Sequence, residues 1–106
     1  MQFSEEIKVL IVEDQEGFAQ LLQLLLEELG LKQIRKAHTM KQAWALFEEE
    51  RPDLCLIDIE LNEQQMEGIA LAEKIRKVTL TLPIVYLTVH YSEEIYERCK
   101  HTLPSS

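Results

Sequence analysis

Residues 7–14 read IKVLIVED, an apolar run that ends directly in two carboxylates. Residues 7–12 have the length of an ordinary strand, and several of them are β-branched. A nearly continuous apolar run of this kind is typical of a strand that is buried on both faces of a sheet. Such a strand needs helices above and below it, so this stretch predicts an α/β fold.

Strand-like and helical patterns alternate along the rest of the chain. Further strands are predicted at residues 33–37, 54–57 and 83–87. Helices are predicted from Phe18 to Gly30, from Thr39 to Pro52, from Gly68 to Val78, and from Ser92 to about His101. This alternation, with right-handed crossovers, predicts a doubly wound parallel sheet with helices on both faces.

Two helices carry informative patterns of apolar and capping residues. The first has apolar side chains at helical spacing, which predicts a stripe facing the core: Phe18, Leu21, Leu22, Leu25 and Leu29. At the start of the second helix, Thr39 followed three residues later by Gln42 resembles a capping box. Trp44 lies on the apolar face of that helix and is interpreted as a core residue.

Composition limits the classes of function. The 106 residues suit one domain, and 46% of them are hydrophobic, which is enough for a packed core. A formal net charge of -8 disfavours direct nucleic-acid binding and favours a cation, a metal ion or a basic partner. We expect no membrane span, no secretory signal and no disulfide framework from the two cysteines, and therefore a cytoplasmic location.

Polar residues follow three of the predicted strands. Glu13 and Asp14 follow the first, Asp58 the third and Thr88 the fourth. The carboxyl ends of parallel strands share one edge of the sheet, where ligands of such folds bind. Carboxylates held together repel one another, and Mg2+ with oxygen ligands removes that conflict. A carboxylate beside such a metal can attack phosphorus, and Asp58 is the candidate nucleophile.

Each of these residues also has a purely structural interpretation. Asp14 is suited to the positive end of a helix dipole, and alone this reading is favoured by about two to one. Asp58 alone suits a turn, and the Thr88 hydroxyl alone suits a bond to its own backbone. Only their joint placement at one sheet edge favours a functional site.

Four motifs in order resemble a response regulator receiver domain. They lie at residues 9–14, 56–61, 68–69 and 83–88. The resemblance implies a flavodoxin-like fold with strand order 2-1-3-4-5. It also implies transfer of a phosphoryl group from a sensor histidine kinase or phosphotransfer protein to an aspartate, with Mg2+. The expected protein is a signalling module that catalyses its own phosphorylation and dephosphorylation, not a turnover enzyme.

The resemblance assigns a role to individual residues. Asp58 matches the phosphoacceptor and a metal ligand, and Thr88 matches the switch hydroxyl. Asp14 matches the direct magnesium ligand, whereas Glu13 acts through water. The backbone carbonyl of Glu60 matches the family's third protein ligand.

The chain departs from the family pattern in three places. The loop between Asp58 and Gly68 is long and acidic, which suits either a solvated loop or a residue that tunes the phosphoryl lifetime. Val89 stands where a small residue is usual. The family's fifth strand, with its lysine, and fifth helix have no match, and Lys100 is placed in the fourth helix instead. We therefore expect residues 1–106 to be a single receiver domain that is truncated at its C-terminus.

These departures leave an alternative function open. A receiver-like interaction domain that works without phosphorylation would use the fourth strand and fourth helix as a contact, including one with a second copy of the chain. His38, His90 and His101 are interpreted as surface histidines, and His90 also suits a weak pH-sensitive neighbour of the site.

Overall fold

The computed structural model of the protein describes residues 5–59, 67–87 and 93–102. Its strands are β1 (Lys8–Val12), β2 (Gln33–Ala37), β3 (Leu54–Asp58) and β4 (Ile84–Leu87). Its helices are α1 (Glu16–Glu28), α2 (Met40–Glu49), α3 (Glu67–Arg76) and α4 (Glu93–Lys100). Strands and helices alternate in the predicted order, and their bounds shift by only a few residues.

The strands form one parallel sheet in the order β2-β1-β3-β4. This confirms the predicted α/β, flavodoxin-like class and its strand order. Residues 9–12 of β1 have no exposed surface, as expected for an inner strand covered on both faces. In the described sheet β2 and β4 are the edge strands, and Val85 of β4 is exposed.

Alternation along the inner strands divides the core into two layers. Leu10 and Val12 face the layer that also contains α2 and α3 residues. Val9 and Ile11 face the opposite layer, where Ala19 of α1 packs. The inner strands are thus held from both sides, and their carboxyl ends are fixed relative to one another.

The apolar stripe predicted for α1 is only partly correct. Ala19 is the buried residue of this helix, and Leu22 and Leu26 pack against the core. Four predicted stripe residues are instead exposed: Phe18, Leu21, Leu25 and Leu29 are 41–55% exposed. Leucines occur on most sides of α1, so spacing alone did not identify the inward face. The small Ala19 marks the side of α1 that approaches the sheet.

The start of α2 follows the sequence prediction. The Thr39 hydroxyl oxygen accepts a hydrogen bond from the Gln42 amide at 3.0 Å, and the Gln42 side chain accepts one from the His38 amide at 2.9 Å. Trp44 is half-buried and stacks on Phe47 with ring centroids 5.2 Å apart. This pair lies against the α2 and α3 layer, as the core interpretation predicts.

None of the helices within the described residues has the length and apolar character of a membrane span.

Candidate functional site

Three carboxylates meet at the carboxyl edge of the sheet. Glu13 and Asp14 follow β1, and Asp58 is the last residue of β3. The two strands are hydrogen-bonded neighbours, with Val12 opposite Ile57, so both ends reach the same point. One side-chain oxygen from each of the three acids lies within 4.8 Å of the others. We call Glu13, Asp14 and Asp58 the carboxylate cluster.

Glu13 is the most deeply placed member of the cluster, with 3% of its surface exposed. Its Oε1 accepts a bond of 3.3 Å from the Gln15 amide, whereas Oε2 has no hydrogen-bond partner among the described residues. Burial, followed by the facing Asp58 carboxyl, raises the pKa of Glu13 to about 8. A buried carboxylate oxygen without a hydrogen-bond donor among the described residues is unfavourable.

The cluster fits the magnesium ion that the sequence resemblance implies. Its donors are carboxylate oxygens, the hard ligands that Mg2+ prefers, and they belong to adjacent elements that converge on one point. The unpartnered Glu13 Oε2 and the mutual repulsion of the acids would both be relieved by a bound cation. Glu13, Asp14 and Asp58 are therefore the described residues suited to hold it.

The backbone around Asp58 is held by α3. A side chain at Gly68 would place its Cβ 1.9 Å from the carbonyl oxygen of Asp58, so only glycine permits this approach. The Gly68 amide donates to the carbonyl of Ile59 at 2.9 Å, and Ile59 and Ile69 pack together, both buried. The first turn of α3 therefore fixes the position of the acid at the end of β3.

The end of β2 contributes residues that the sequence analysis missed. His38 is half-buried, not a free surface histidine, and its Nδ1 donates to the carbonyl of Glu13 at 2.9 Å. Its Nε2 lies 2.7 Å from Glu16, which also pairs with Lys36 at 3.1 Å. The available signal was that His38 directly follows a predicted strand whose carboxyl end shares the edge with the acids.

Several predicted site residues lie outside the described part of the chain. These are Glu60 and Thr88, together with Val89 and His90 of the departures. Their roles remain predictions from the sequence. Lys100 lies at the end of α4, as predicted, and pairs with Glu97 at 2.9 Å.

Comparisons with known proteins agree on one family. The family model for the response regulator receiver domain matches residues 9–102. The methanol utilization control regulatory protein MoxX of Paracoccus denitrificans is 28% identical over 92 residues, which cover 87% of this chain and 41% of that protein. The alkaline phosphatase synthesis transcriptional regulatory protein PhoP of Bacillus subtilis (strain 168) is 35% identical over 86 residues, which cover 81% of this chain and 35% of that protein. The chain thus spans less than half the length of these two relatives.

A solved structure supports the same grouping. The response regulator receiver domain protein (CheY-like) of Methanospirillum hungatei JF-1 superposes with a TM-score of 0.83 at 27% identity. The match covers 93% of this chain and 77% of that one. The likeness in both sequence and backbone covers the strands that carry the carboxylate cluster.

Proposed function

This chain belongs to the response regulator receiver domain family of two-component signalling, and on that premise we propose that Asp58 accepts a phosphoryl group. The donor is a phosphohistidine of a sensor histidine kinase or phosphotransfer protein in the cytoplasm. The observation that carries the proposal is the carboxylate cluster, in which Asp58 faces two acids at the carboxyl edge of the sheet.

The proposed magnesium ligands are Asp14, Asp58 and the backbone carbonyl of Glu60, with Glu13 acting through water. Two observations support this assignment: Glu13 is buried, and its Oε2 has no hydrogen-bond partner in the part of the chain that the structure describes. Bound Mg2+ would neutralise part of the negative charge on the carboxylates and on the incoming phosphoryl oxygens.

The proposed reaction is a displacement at phosphorus. A carboxylate oxygen of Asp58 attacks, an O–P bond forms, and the P–N bond to the donor histidine breaks with its electron pair going to nitrogen. Phosphoryl transfer depends mostly on positioning, and the contact between Gly68 and the Asp58 carbonyl supplies a fixed backbone for the acceptor.

The proposed output is a shift between conformations that the protein already samples. Thr88, at the end of the fourth predicted strand, would donate its hydroxyl proton to a phosphoryl oxygen. Asp58 on β3 is the register partner of Leu87 on β4. Thr88 directly follows Leu87 in the sequence. The Thr88 hydroxyl would thereby couple phosphorylation of Asp58 to the conformation of the segments that follow β4.

A phosphoryl donor of low molecular mass tests the proposal. Incubation with acetyl phosphate and Mg2+ is expected to add the mass of one phosphoryl group to the protein, and chelation of Mg2+ should prevent it. Asp58→Asn should remove the labelling. The matched control is Asp53→Asn, because Asp53 is an exposed acid near the start of β3 that accepts a bond from the Lys8 amide at 2.9 Å. Labelling of the Asp58→Asn protein, or labelling without a divalent cation, would overturn the proposal.

A contact function that works without phosphorylation is the second candidate. The exposed Val85 on the edge strand β4 favours it. Under this hypothesis, partner binding or self-association through β4 and α4 would be unchanged by Asp58→Ala. Sedimentation of the wild-type and variant proteins, with and without the phosphoryl donor, separates the two functions.

A further inference from the structure

The loop that carries Glu13 and Asp14 is tied to the end of β2 by side chains that no receiver motif in this sequence includes. Glu16 receives both ties at its carboxylate: Lys36 Nζ lies 3.1 Å from Oε1, and His38 Nε2 lies 2.7 Å from Oε2. We call Lys36, His38 and Glu16 the β2 clamp. Lys36 lies in β2 and His38 directly follows it, and β2 neighbours β1, so the clamp bridges two elements of the site edge.

The clamp also holds the backbone of a cluster residue. The His38 Nδ1 donates to the carbonyl of Glu13 at 2.9 Å, and the Glu13 amide donates to the carbonyl of Ala37 at 3.0 Å. Asp14 lies between Glu13 and Glu16, so contacts to β2 hold the chain on both sides of it. The short loop is therefore fixed before and after the acid that is proposed as the direct metal ligand.

His38 is itself fixed by α2. Its amide donates to the Gln42 side chain at 2.9 Å, and Gln42 is bound in turn by the Thr39 hydroxyl at the helix start. The imidazole is thus positioned by both the end of β2 and the first turn of α2. This support gives the ring a defined place from which to hold the loop.

Resting on the proposed function, we propose that Lys36, His38 and Glu16 are positioning residues that set the affinity of the carboxylate cluster for Mg2+. They do not touch the ion. They hold the loop of Glu13 and Asp14 in the conformation in which the carboxylates converge. Residues that orient metal ligands in this way commonly change metal affinity about tenfold or more when they are replaced.

Lys36 gives a test in which positioning and simple electrostatics predict opposite signs. Removal of a positive charge near an acidic site reduces the Coulomb repulsion of a cation and so favours cation binding. The clamp predicts the reverse: Lys36→Met weakens Mg2+ binding about threefold, as expected when one partly exposed ion pair that holds the loop is lost. Lys36→Arg keeps the pair with Glu16 and is expected to restore the wild-type affinity.

His38→Phe and Glu16→Gln extend the test to the other members of the clamp. Each is expected to raise the Mg2+ dissociation constant, with the larger change, about tenfold, for His38→Phe because it frees the Glu13 carbonyl as well. The matched controls are Lys32→Met and Glu50→Gln. Lys32 pairs with Glu5 and Glu50 pairs with Lys8, both away from the cluster, so neither change should weaken binding.

The experiment is calorimetric titration of each protein with Mg2+, with thermal unfolding recorded to verify folding. Weaker binding by Lys36→Met, recovered in Lys36→Arg, supports the clamp. Unchanged or tighter binding by Lys36→Met overturns it, even if His38→Phe fails to fold. Failure of the wild-type protein to bind Mg2+, or equal binding by Asp14→Asn, would instead overturn the proposed magnesium site. The two failures are therefore distinguishable.

Discussion

Each edge of the sheet buries an ionisable side chain, but the groups that surround it differ between the two edges. At the amino edge, Arg76 ends α3 with only 9% of its surface exposed, and its guanidinium donates to three backbone carbonyls. At the carboxyl edge, Glu13 is 3% exposed and one of its oxygens has no partner among the described residues. Backbone carbonyls surround the cation, whereas other acids surround Glu13.

The Arg76 contacts join separate segments at the amino edge. Its side chain donates to the carbonyl of Leu82 at 2.6 Å, to that of Thr79 at 3.3 Å, and to that of Thr102. Thr102 also bonds to the hydroxyl of Tyr86 on β4. The guanidinium lies where α3 and α4 both end, and helix C-termini carry partial negative charge that favours a cation.

This difference indicates which edge is structural and which is functional. The backbone carbonyls around Arg76 accept hydrogen bonds from its guanidinium, so the folded chain itself compensates this charge. Burial, followed by the neighbouring Asp58 carboxyl, raises the pKa of Glu13, which is the arrangement expected of a site completed by a ligand.

The largest effect is expected at the amino edge. Arg76→Met leaves three carbonyls without their donor and should lower the free energy of unfolding by about 3 kcal/mol. Lys74→Met, on the same helix, is the control, because Lys74 is exposed and lies over the Trp44 ring at 4.3 Å. It should cost less than about 1 kcal/mol. Equal urea midpoints for the two variants would show that Arg76 has no special structural role.

A smaller effect is expected from Mg2+ at the carboxyl edge. Free Mg2+ at about ten times its dissociation constant should stabilise the wild-type protein by about 1.4 kcal/mol, because the ion binds the folded chain only. Asp14→Asn should lose most of this gain, whereas Asp53→Asn should keep it. Thermal unfolding with and without Mg2+ measures the difference. A similar gain in the Asp14→Asn protein would place the stabilising ion elsewhere.

A pH-dependent effect concerns Glu13 in the absence of metal. Its pKa rises from 4.5 to about 8 on folding, so its contribution to stability is full below about pH 4.5 and is lost as the pH rises through about 8. Glu13→Gln removes this dependence. Because Glu13 is buried, the variant should clearly exceed the wild-type protein in stability at pH 8 and exceed it by much less at pH 5.

Urea unfolding in chelator at the two pH values measures this difference, and other titrating groups cancel between the two proteins. Glu28→Gln is the control, since Glu28 is an exposed acid of α1. A gain at pH 5 that equals the gain at pH 8 would contradict the raised pKa of Glu13.

The sheet and the carboxylate cluster could be predicted from the sequence for a simple physical reason. A strand covered on both faces is an unbroken apolar run, and residues 9–12 carry that signal without ambiguity. Once the strands are parallel, their carboxyl ends share an edge, so Glu13, Asp14 and Asp58 converge by topology alone.

Other features depend on contacts that a linear pattern does not contain. The inward face of α1 could not be recognised because its leucines point in most directions, and the exposed Phe18 and Leu25 resemble core residues in the sequence. The roles of His38 and Arg76 follow from side-chain direction and from carbonyls that are distant in the sequence. Glu60 and Thr88 rest on family motifs and lie outside the described residues.

Paramagnetic mapping with Mn2+ as a stand-in for Mg2+ tests the central claim most directly. We expect substoichiometric Mn2+ to broaden the backbone amide signals of residues 13–15 and 57–59 first, and excess Mg2+ to restore them. The signals near Arg76 and those of the exposed acidic run at residues 48–50 should stay sharp. Equal broadening at residues 48–50, or none at residues 13–15, would contradict a divalent cation site at the carboxyl edge of this receiver domain.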